Sequence, residues 1–262
     1  MTENKKELAE KFLVRVVPAA DRPSGVVLLM FSDAGQDVDR LSDKLSYAGY
    51  DSYICRVGQA ELLMCDADIE DVVDSVFYLI REKYRYLPVF AVGSQGGSVA
   101  LMASKTSLCG IVLTSLPSFS QDGEKLLKKL KGHSLFKKAG GVYPKLTDEF
   151  DSVFGEPFGK LPADTAYAGL RILGNDLLSA FGNLPSQSVP VLVLSEKGDE
   201  YGKRYAETLS DNDHSRVEHK SYDVSRNDLF SDENAINDII GFINESAAGY
   251  LDSLSQNFGG IR

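Results

Sequence analysis

The chain has 262 residues, of which 43% are hydrophobic and 25% charged, enough to build a globular protein with a large core. A formal net charge of −10 disfavours nucleic acid as a partner, and three cysteines fit neither an even disulfide set nor a zinc spacing. No stretch approaches the ~20 consecutive apolar residues of a membrane span, and the polar start lacks a signal-peptide core. We therefore expect a cytoplasmic protein with no cofactor and no metal.

The first half of the chain alternates between strand-like and helix-like segments. Apolar runs of strand length occur at 12–17, 25–31, 51–57, 87–92 and 109–115. Apolar residues at helical spacing occur at 38–48, 66–84 and 98–104. Strands separated by helices of this length make right-handed crossovers, which predict a mostly parallel sheet covered on both faces.

The alternation stops near residue 118 and resumes at 188. Strands are predicted at 190–195 and 217–222, helices at 201–209 and 233–247, and a loosely held tail over the last ten residues. The intervening segment is rich in Gly, Phe and Lys. We expect it to form a helical cap, 118–187, inserted into an α/β core made of 1–117 and 188–262.

A glycine-rich turn, Gly93-Ser94-Gln95-Gly96-Gly97, joins the strand at 87–92 to the next helix. A strand, a sharp turn of small residues and a helix form the setting of a G-x-S-x-G nucleophile elbow. In one frame Ser94 is the nucleophile and Val92 replaces the first glycine. In the other frame both glycines are correct, and Gln95 occupies the nucleophile position. A turn without chemistry is a third interpretation, whereas phosphate binding is disfavoured because GxGxxG and a Walker lysine are missing.

Three segments of the chain are similar to one known family. YLPVFAVGSQGGSVAL matches a strand and elbow that usually end in GHSMGG or GHSMGS, and LSDKLSYAGYDSY matches the helix and strand ahead of an RGHG loop. EHKSYDVSRNDLFSDENAINDIIGFI matches the last strand, histidine loop and final helix. From about residue 26 to 243 the chain thus resembles the monoacylglycerol lipase and lysophospholipase branch of the α/β-hydrolases, also called serine aminopeptidase-like. The resemblance implies an α/β-hydrolase fold, and it does not imply the activity.

Departures from the family pattern fall on catalytic positions. The oxyanion-loop His-Gly is here Phe31-Ser32, and the RGHG loop is here Arg56-Val57-Gly58-Gln59. Aligned without a gap, Gln95 stands where the serine belongs, and a one-residue gap puts Ser94 there instead. The family's histidine loop maps without gaps onto the residues after Tyr222, with Asn227 in the place of the triad histidine. An amide cannot take a proton from a serine hydroxyl at neutral pH, so the relay is broken there.

The acid position of a triad has two candidates, and the three histidines lie elsewhere in the chain. Asp199 is the first choice for the acid position, and Glu196 is the alternative. We expect His219 to point along the sheet from its predicted strand, and we expect His214 to be exposed in a polar turn. His133 lies in the predicted cap.

Nine basic and eight acidic residues give the predicted cap a slight positive charge, and six of its lysines lie between residues 124 and 138. With leucines between the lysines, Lys125–Lys138 suits a segment that touches an anionic membrane surface. An exposed basic helix face covering an apolar pocket is the interpretation that we favour for this segment. Caps in the resembling family cover an acyl-chain pocket, which implies an acyl or lipid-like ligand.

Two functions follow from these patterns. The leading one is a catalytically impaired hydrolase that binds an acyl or lipid-like ligand, with Gln95, Phe31, Ser32 and Gly96 at the binding site. The alternative is a weak serine esterase or lipase acting on carboxylic esters, with Ser94 as nucleophile, Asp199 as acid and backbone N–H groups after the elbow in the oxyanion hole. The ligand and the oligomeric state stay open.

Overall fold

The computed structural model describes residues 2–31, 38–57, 69–104, 106–116, 189–211, 216–225 and 228–258. Its helices and strands follow in chain order: α1 Thr2–Phe12, β1 Leu13–Val17, β2 Gly25–Phe31, α2 Val38–Tyr47, β3 Tyr50–Arg56, α3 Ile69–Lys83, β4 Val89–Ser94, α4 Gly96–Ala103, β5 Ile111–Thr114, β6 Val191–Glu196, α5 Glu200–Asp211, β7 Val217–Tyr222 and α6 Glu233–Phe258.

The seven strands form one sheet in the order β1-β3-β2-β4-β5-β6-β7. All neighbours from β3 to β7 pair in parallel, and β1 alone pairs antiparallel, at the edge next to β3. The prediction of a mostly parallel sheet with helices on both faces is confirmed.

Two apolar cores cover the two faces of the sheet. Helices α1, α3, α4 and α5 contribute buried side chains to one core, whereas α2 and α6 contribute to the other. All seven residues of β2 are buried. Burial on both faces explains why the central strands consist of continuous apolar runs in the sequence.

The two ends of the chain differ from the prediction. The polar start forms α1, because Ala9 and Phe12 are buried in the core and Leu8 packs against it, although the rest of that helix is polar. The predicted loose tail is helical as far as Phe258, since α6 continues well past the sheet. Tyr250 and Leu254 are half-buried at helical spacing along this extension.

The predicted cap, 118–187, lies outside the described residues, so the division into core and cap stays a prediction. On either side of it, β5 and β6 pair directly in the sheet, from Ile111 opposite Val191 to Thr114 opposite Leu194. Over the described part of the chain, no helix combines the length and apolarity needed to cross a membrane.

Candidate active site

The candidate site residues gather at the carboxyl edge of the sheet, where ligands bind in open α/β folds. Phe31 is the last residue of β2, and Ser94 is the last residue of β4. Asp199 follows β6, directly before α5. Asn227 and Ser32 lie outside the described residues.

Gln95 forms the apex of the turn between β4 and α4. Its backbone has φ 52° and ψ −121°, in the left-handed half of conformational space that residues other than glycine rarely adopt. Ser94, by contrast, still belongs to the extended strand. The sharp change of direction that defines an elbow therefore takes place at Gln95.

Two glycines flank Gln95 at positions where a side chain does not fit. A Cβ atom built on Gly97 would lie 2.0 Å from the carbonyl oxygen of Met30, and one built on Gly93 would lie 2.8 Å from the backbone nitrogen of Ser98. Both glycines are required because α4 packs directly against the backbone of β2 and β4. The turn is therefore built on the frame with two correct glycines, which has Gln95 at its centre.

Ser94 is fully buried within the sheet. Because side chains alternate along a strand, Ser94 points to the sheet face opposite that of Gly93, whose missing side chain would meet α4. Its Oγ has no hydrogen-bond partner among the described residues. The structure thus shows no described base in position to take a proton from Ser94.

Hydrogen bonds to β5 hold the turn in place. The Gln95 N–H donates to the Thr114 carbonyl (3.4 Å), and the Ser98 hydroxyl donates to the same oxygen (2.8 Å). The Thr114 hydroxyl donates in turn to the Gly93 carbonyl (3.2 Å). Gly96 begins α4, so its N–H belongs to the first turn, where N–H groups have no acceptor within the helix. In an elbow this is the N–H that faces a bound carbonyl.

Phe31 is part of the core. Its ring packs edge-to-face against Phe230, with 6.2 Å between the ring centroids and 79° between the planes. Its carbonyl accepts the Val57 N–H at 2.6 Å, which ties the ends of β2 and β3 together. The side chain at this position therefore stabilises the fold, and its backbone remains close to the elbow helix through Gly97.

Asp199 caps a helix. It follows Gly198, whose φ is +89°, and its Oδ1 accepts the Gly202 N–H at 3.1 Å in the first turn of α5. Glu196, the alternative acid, is the last residue of β6. The capping bond gives Asp199 a structural role that requires no catalysis.

The loop that follows β7 is anchored on both sides of Asn227. The Ser225 hydroxyl donates to Asp228 Oδ2 (2.7 Å), and Asp238 of α6 accepts hydrogen bonds from Lys220 Nζ (2.7 Å) and Tyr222 Oη (2.6 Å). Burial opposes ionisation of Asp238, but these two hydrogen bonds outweigh it and lower its pKa. Burial and the adjacent Asp238 together raise the pKa of Tyr222.

A serine–histidine contact that the sequence did not predict lies on the α5 face of the sheet. His219 Nε2 and Ser195 Oγ are 2.8 Å apart. Lys203 and Glu207 of α5 line a cavity of about 320 Å³ with His219. Burial lowers the pKa of His219, and the Asp199 carboxylate partly opposes that effect. The His219 side chain thus contacts Ser195 of the neighbouring strand, within the sheet, and not a residue of the elbow.

No family model matches the chain, and no curated protein matches it in sequence. Solved structures match over most of its length. A thermostable carboxyl esterase from Bacillus coagulans, in complex with glycerol, is 16% identical with a TM-score of 0.62, covering 88% of this chain and 93% of its own. A lipase in its open form is 15% identical with a TM-score of 0.59 and the same two coverages, 88% and 93%.

A soluble variant of monoglyceride lipase from Saccharomyces cerevisiae, in complex with a substrate analogue, is 14% identical with a TM-score of 0.54, covering 88% of this chain and 89% of its own. At such identities the likeness shows the fold alone. The chain has the α/β-hydrolase fold, as its sequence resemblance implied.

Proposed function

We propose that this protein binds an acyl or lipid-like ligand at the carboxyl edge of its sheet without serine-hydrolase chemistry. The observation that carries the proposal is the backbone of Gln95, at φ 52° and ψ −121°, between two glycines that cannot be larger. A carboxamide has no readily ionised proton and does not act as a nucleophile at neutral pH. Its polar atoms are two N–H donors and one carbonyl acceptor, which are groups that form hydrogen bonds.

The neighbouring positions support the same conclusion. Ser94 is buried in the strand, Phe31 packs in the core, and the sequence places Asn227 where the relay needs a base. Amide side chains would then stand at both the nucleophile and the base positions. Neither can carry out the proton transfers that acyl transfer requires. Shape and hydrogen bonding at the site are what remain, and these suffice for binding.

The proposed ligand has an ester or alcohol head and an apolar tail. Its head would meet the Gln95 side chain and the Gly96 N–H, and its tail would lie under the predicted cap, 118–187. The glycerol bound to the carboxyl esterase and the substrate analogue bound to the monoglyceride lipase agree with a glycerol-ester type of head.

Covalent labelling tests the absence of hydrolase chemistry. We expect a fluorophosphonate probe to leave the wild-type protein unlabelled and p-nitrophenyl butyrate to stay intact. The double variant Gln95→Ser/Asn227→His should gain labelling at position 95. Labelling of the wild-type protein on Ser94, with turnover lost in Ser94→Ala, would instead establish the alternative, a weak serine esterase or lipase.

Calorimetry with a 1-O-alkyl glycerol ether, a monoglyceride analogue that cannot be hydrolysed, tests binding. We expect Gln95→Ala to weaken the affinity by about tenfold, because one or two hydrogen bonds are lost. Ser94→Ala is the matched control and should bind as the wild type does. Equal affinities for wild type and Gln95→Ala would show that the Gln95 side chain does not contact the ligand.

Contact of Lys125–Lys138 with anionic membranes is a separate part of the proposal, and it concerns residues outside the described ranges. Each lysine near an anionic surface contributes on the order of 1 kcal/mol to attraction. Co-sedimentation with liposomes should therefore rise with anionic lipid content and fall with salt. Binding that is indifferent to lipid charge would contradict it. The cytoplasmic location stays a prediction.

A further inference from the structure

A second cavity, of about 460 Å³, opens at the amino-terminal edge of the sheet, opposite the elbow. It lies between the segments that lead into β5, β6 and β7 and the second half of α6. Its volume is in the range of small-molecule sites. It shares no residue with the candidate active site.

Ser246 of α6 lines this cavity and carries a buried, unbonded hydroxyl. The residue is 5% exposed, and its Oγ has no hydrogen-bond partner within the described part of the chain. A Cβ atom built on Gly110 would lie 3.3 Å from that Oγ, so the hydroxyl sits against the start of β5. Buried hydroxyls nearly always have a partner, because leaving one unbonded is costly. A ligand in the cavity would supply one.

Arg81 of α3 brings a positive charge to the same cavity. Its Nη1 donates to the carbonyls of Leu87 (2.6 Å) and Tyr84 (3.3 Å), which hold the guanidinium in place. Among the described residues, no carboxylate forms an ion pair with the Arg81 guanidinium. Burial raises the pKa of the Cys109 thiol, and the nearby Arg81 charge partly opposes that rise. Arg81 and Cys109 are therefore neighbours in the cavity wall.

The other charged side chains of the described lining are already in ion pairs. Arg216 forms ion pairs with Glu218 (2.7 Å) and with Glu245. Glu245, the acid in the lining, is thus already paired. Arg81 is the charged residue of the described lining that has no ion-pair partner among the described residues, and Leu108, Val189 and Pro190 supply an apolar wall.

We propose that this cavity binds a small organic monocarboxylate. Its carboxylate takes hydrogen bonds from the Arg81 guanidinium and the Ser246 hydroxyl, and its short apolar chain lies along the apolar wall. Charge-assisted bonds of this kind are the strong ones, and Arg is suited to planar carboxylates. The inference is independent of the ligand proposed for the elbow.

Octanoate is the probe, and Cys109 is the reporter. We expect calorimetry to detect saturable octanoate binding, and saturating octanoate to slow alkylation of Cys109 by iodoacetamide by about tenfold or more, measured by peptide mass mapping. Octanol, which has the same chain without the charge, should give neither effect. Absence of octanoate binding would overturn the proposal, and equal protection by octanol would overturn its anionic part.

Two serine variants separate binding from stability. Ser246→Ala should weaken octanoate binding by roughly tenfold or more, since a hydrogen bond to a charged group is lost. It should also raise the melting temperature of the free protein, because an unbonded buried hydroxyl is removed. Ser52→Ala is the matched control, since Ser52 in β3 is also buried with no partner for its Oγ among the described residues. It should raise the melting temperature and leave octanoate binding unchanged.

Two further variants complete the test. Arg81→Gln should abolish octanoate binding, with circular dichroism to check that it folds. Gln95→Ala should leave octanoate protection of Cys109 intact, so a failure at the elbow and a failure at this cavity are told apart. Wild-type octanoate affinity in both Ser246→Ala and Arg81→Gln would refute the assigned contacts.

Discussion

Replacing Gly97 by alanine tests the packing on which the elbow depends. The added Cβ would lie 2.0 Å from the Met30 carbonyl oxygen, 2.4 Å from the Met30 carbonyl carbon and 2.9 Å from the Phe31 nitrogen. Comfortable separations between such atoms are roughly 3.5 Å. Helix α4 would therefore have to move away from β2 by on the order of 1 Å. All three contacted atoms belong to the backbone of a central strand, so no side chain can rotate to make room.

The expected cost follows from this overlap. Extra atoms in a well-packed core usually destabilise a protein by about 1–3 kcal/mol and occasionally by more. Because the clash is with strand backbone, we expect Gly97→Ala to lower the free energy of unfolding by roughly 3 kcal/mol. For a domain of this size that corresponds to a fall in melting temperature of roughly 6–12 °C.

Gly241→Ala in α6 is the matched control. A Cβ built on Gly241 meets no described atom within 4 Å, and alanine in a helix interior is more stable than glycine by about 0.5–1 kcal/mol. Urea denaturation followed by circular dichroism should therefore show opposite shifts for the two variants. If Gly97→Ala unfolds like the wild type while Gly241→Ala is stabilised, α4 does not pack on β2 as described, and the frame with Gln95 at the apex loses its support.

Three further predictions concern single side chains. Gln95→Gly should raise the free energy of unfolding by roughly 1 kcal/mol, because glycine adopts a positive φ without strain, and a urea midpoint no higher than that of the wild type would contradict this. Tyr222→Phe should lower the free energy of unfolding by about 1 kcal/mol, because the hydrogen bond to Asp238 is lost. In a protein that already carries Asp238→Asn, the Tyr222→Phe substitution should lower that free energy by less. Burial lowers the pKa of His219 below its usual 6.5, so the unfolded chain binds this proton more readily and stability should fall as the pH drops through about 6.5. In His219→Gln that part of the pH dependence, measured by urea denaturation between pH 5 and 8, should disappear, and an unchanged profile would show that His219 does not cause it.

Much of the fold could be predicted because its signals are local. Strand β2 is buried on both faces, so its seven residues form an apolar run that can be recognised without knowing its neighbours. Helix α1 was missed because its apolar side is confined to Leu8, Ala9 and Phe12, and its burial comes from packing against α3. The end of α6 was missed for a similar reason, since small and polar residues dominate it beyond the sheet.

The frame of the elbow could not be decided from the sequence. Both frames have a glycine after the turn, and local spacing does not say which residue takes the left-handed conformation. The deciding contact joins Gly97 to Met30, on a strand far away in the chain. The pairing of His219 with Ser195 likewise depends on the register between β6 and β7, in which His219 lies opposite Val193. Register depends on how two strands pair, so it cannot be predicted from the sequence of one strand alone.

The backbone conformation of Gln95, with its positive φ, is the strongest reason to treat the elbow as a functional site. A left-handed conformation at a residue other than glycine costs about 1–3 kcal/mol, and it persists where the surroundings impose it. Here the packing of Gly97 and the bonds of Ser98 and Thr114 impose it. Glycine at position 95 would remove that cost, but it would also remove the only amide side chain at the apex. Gln95→Gly should therefore gain stability and lose affinity for the glycerol ether, and this pair of opposite changes is the signature of strain that serves binding. A gain in stability with unchanged affinity would mean that the elbow is a structural turn and nothing more.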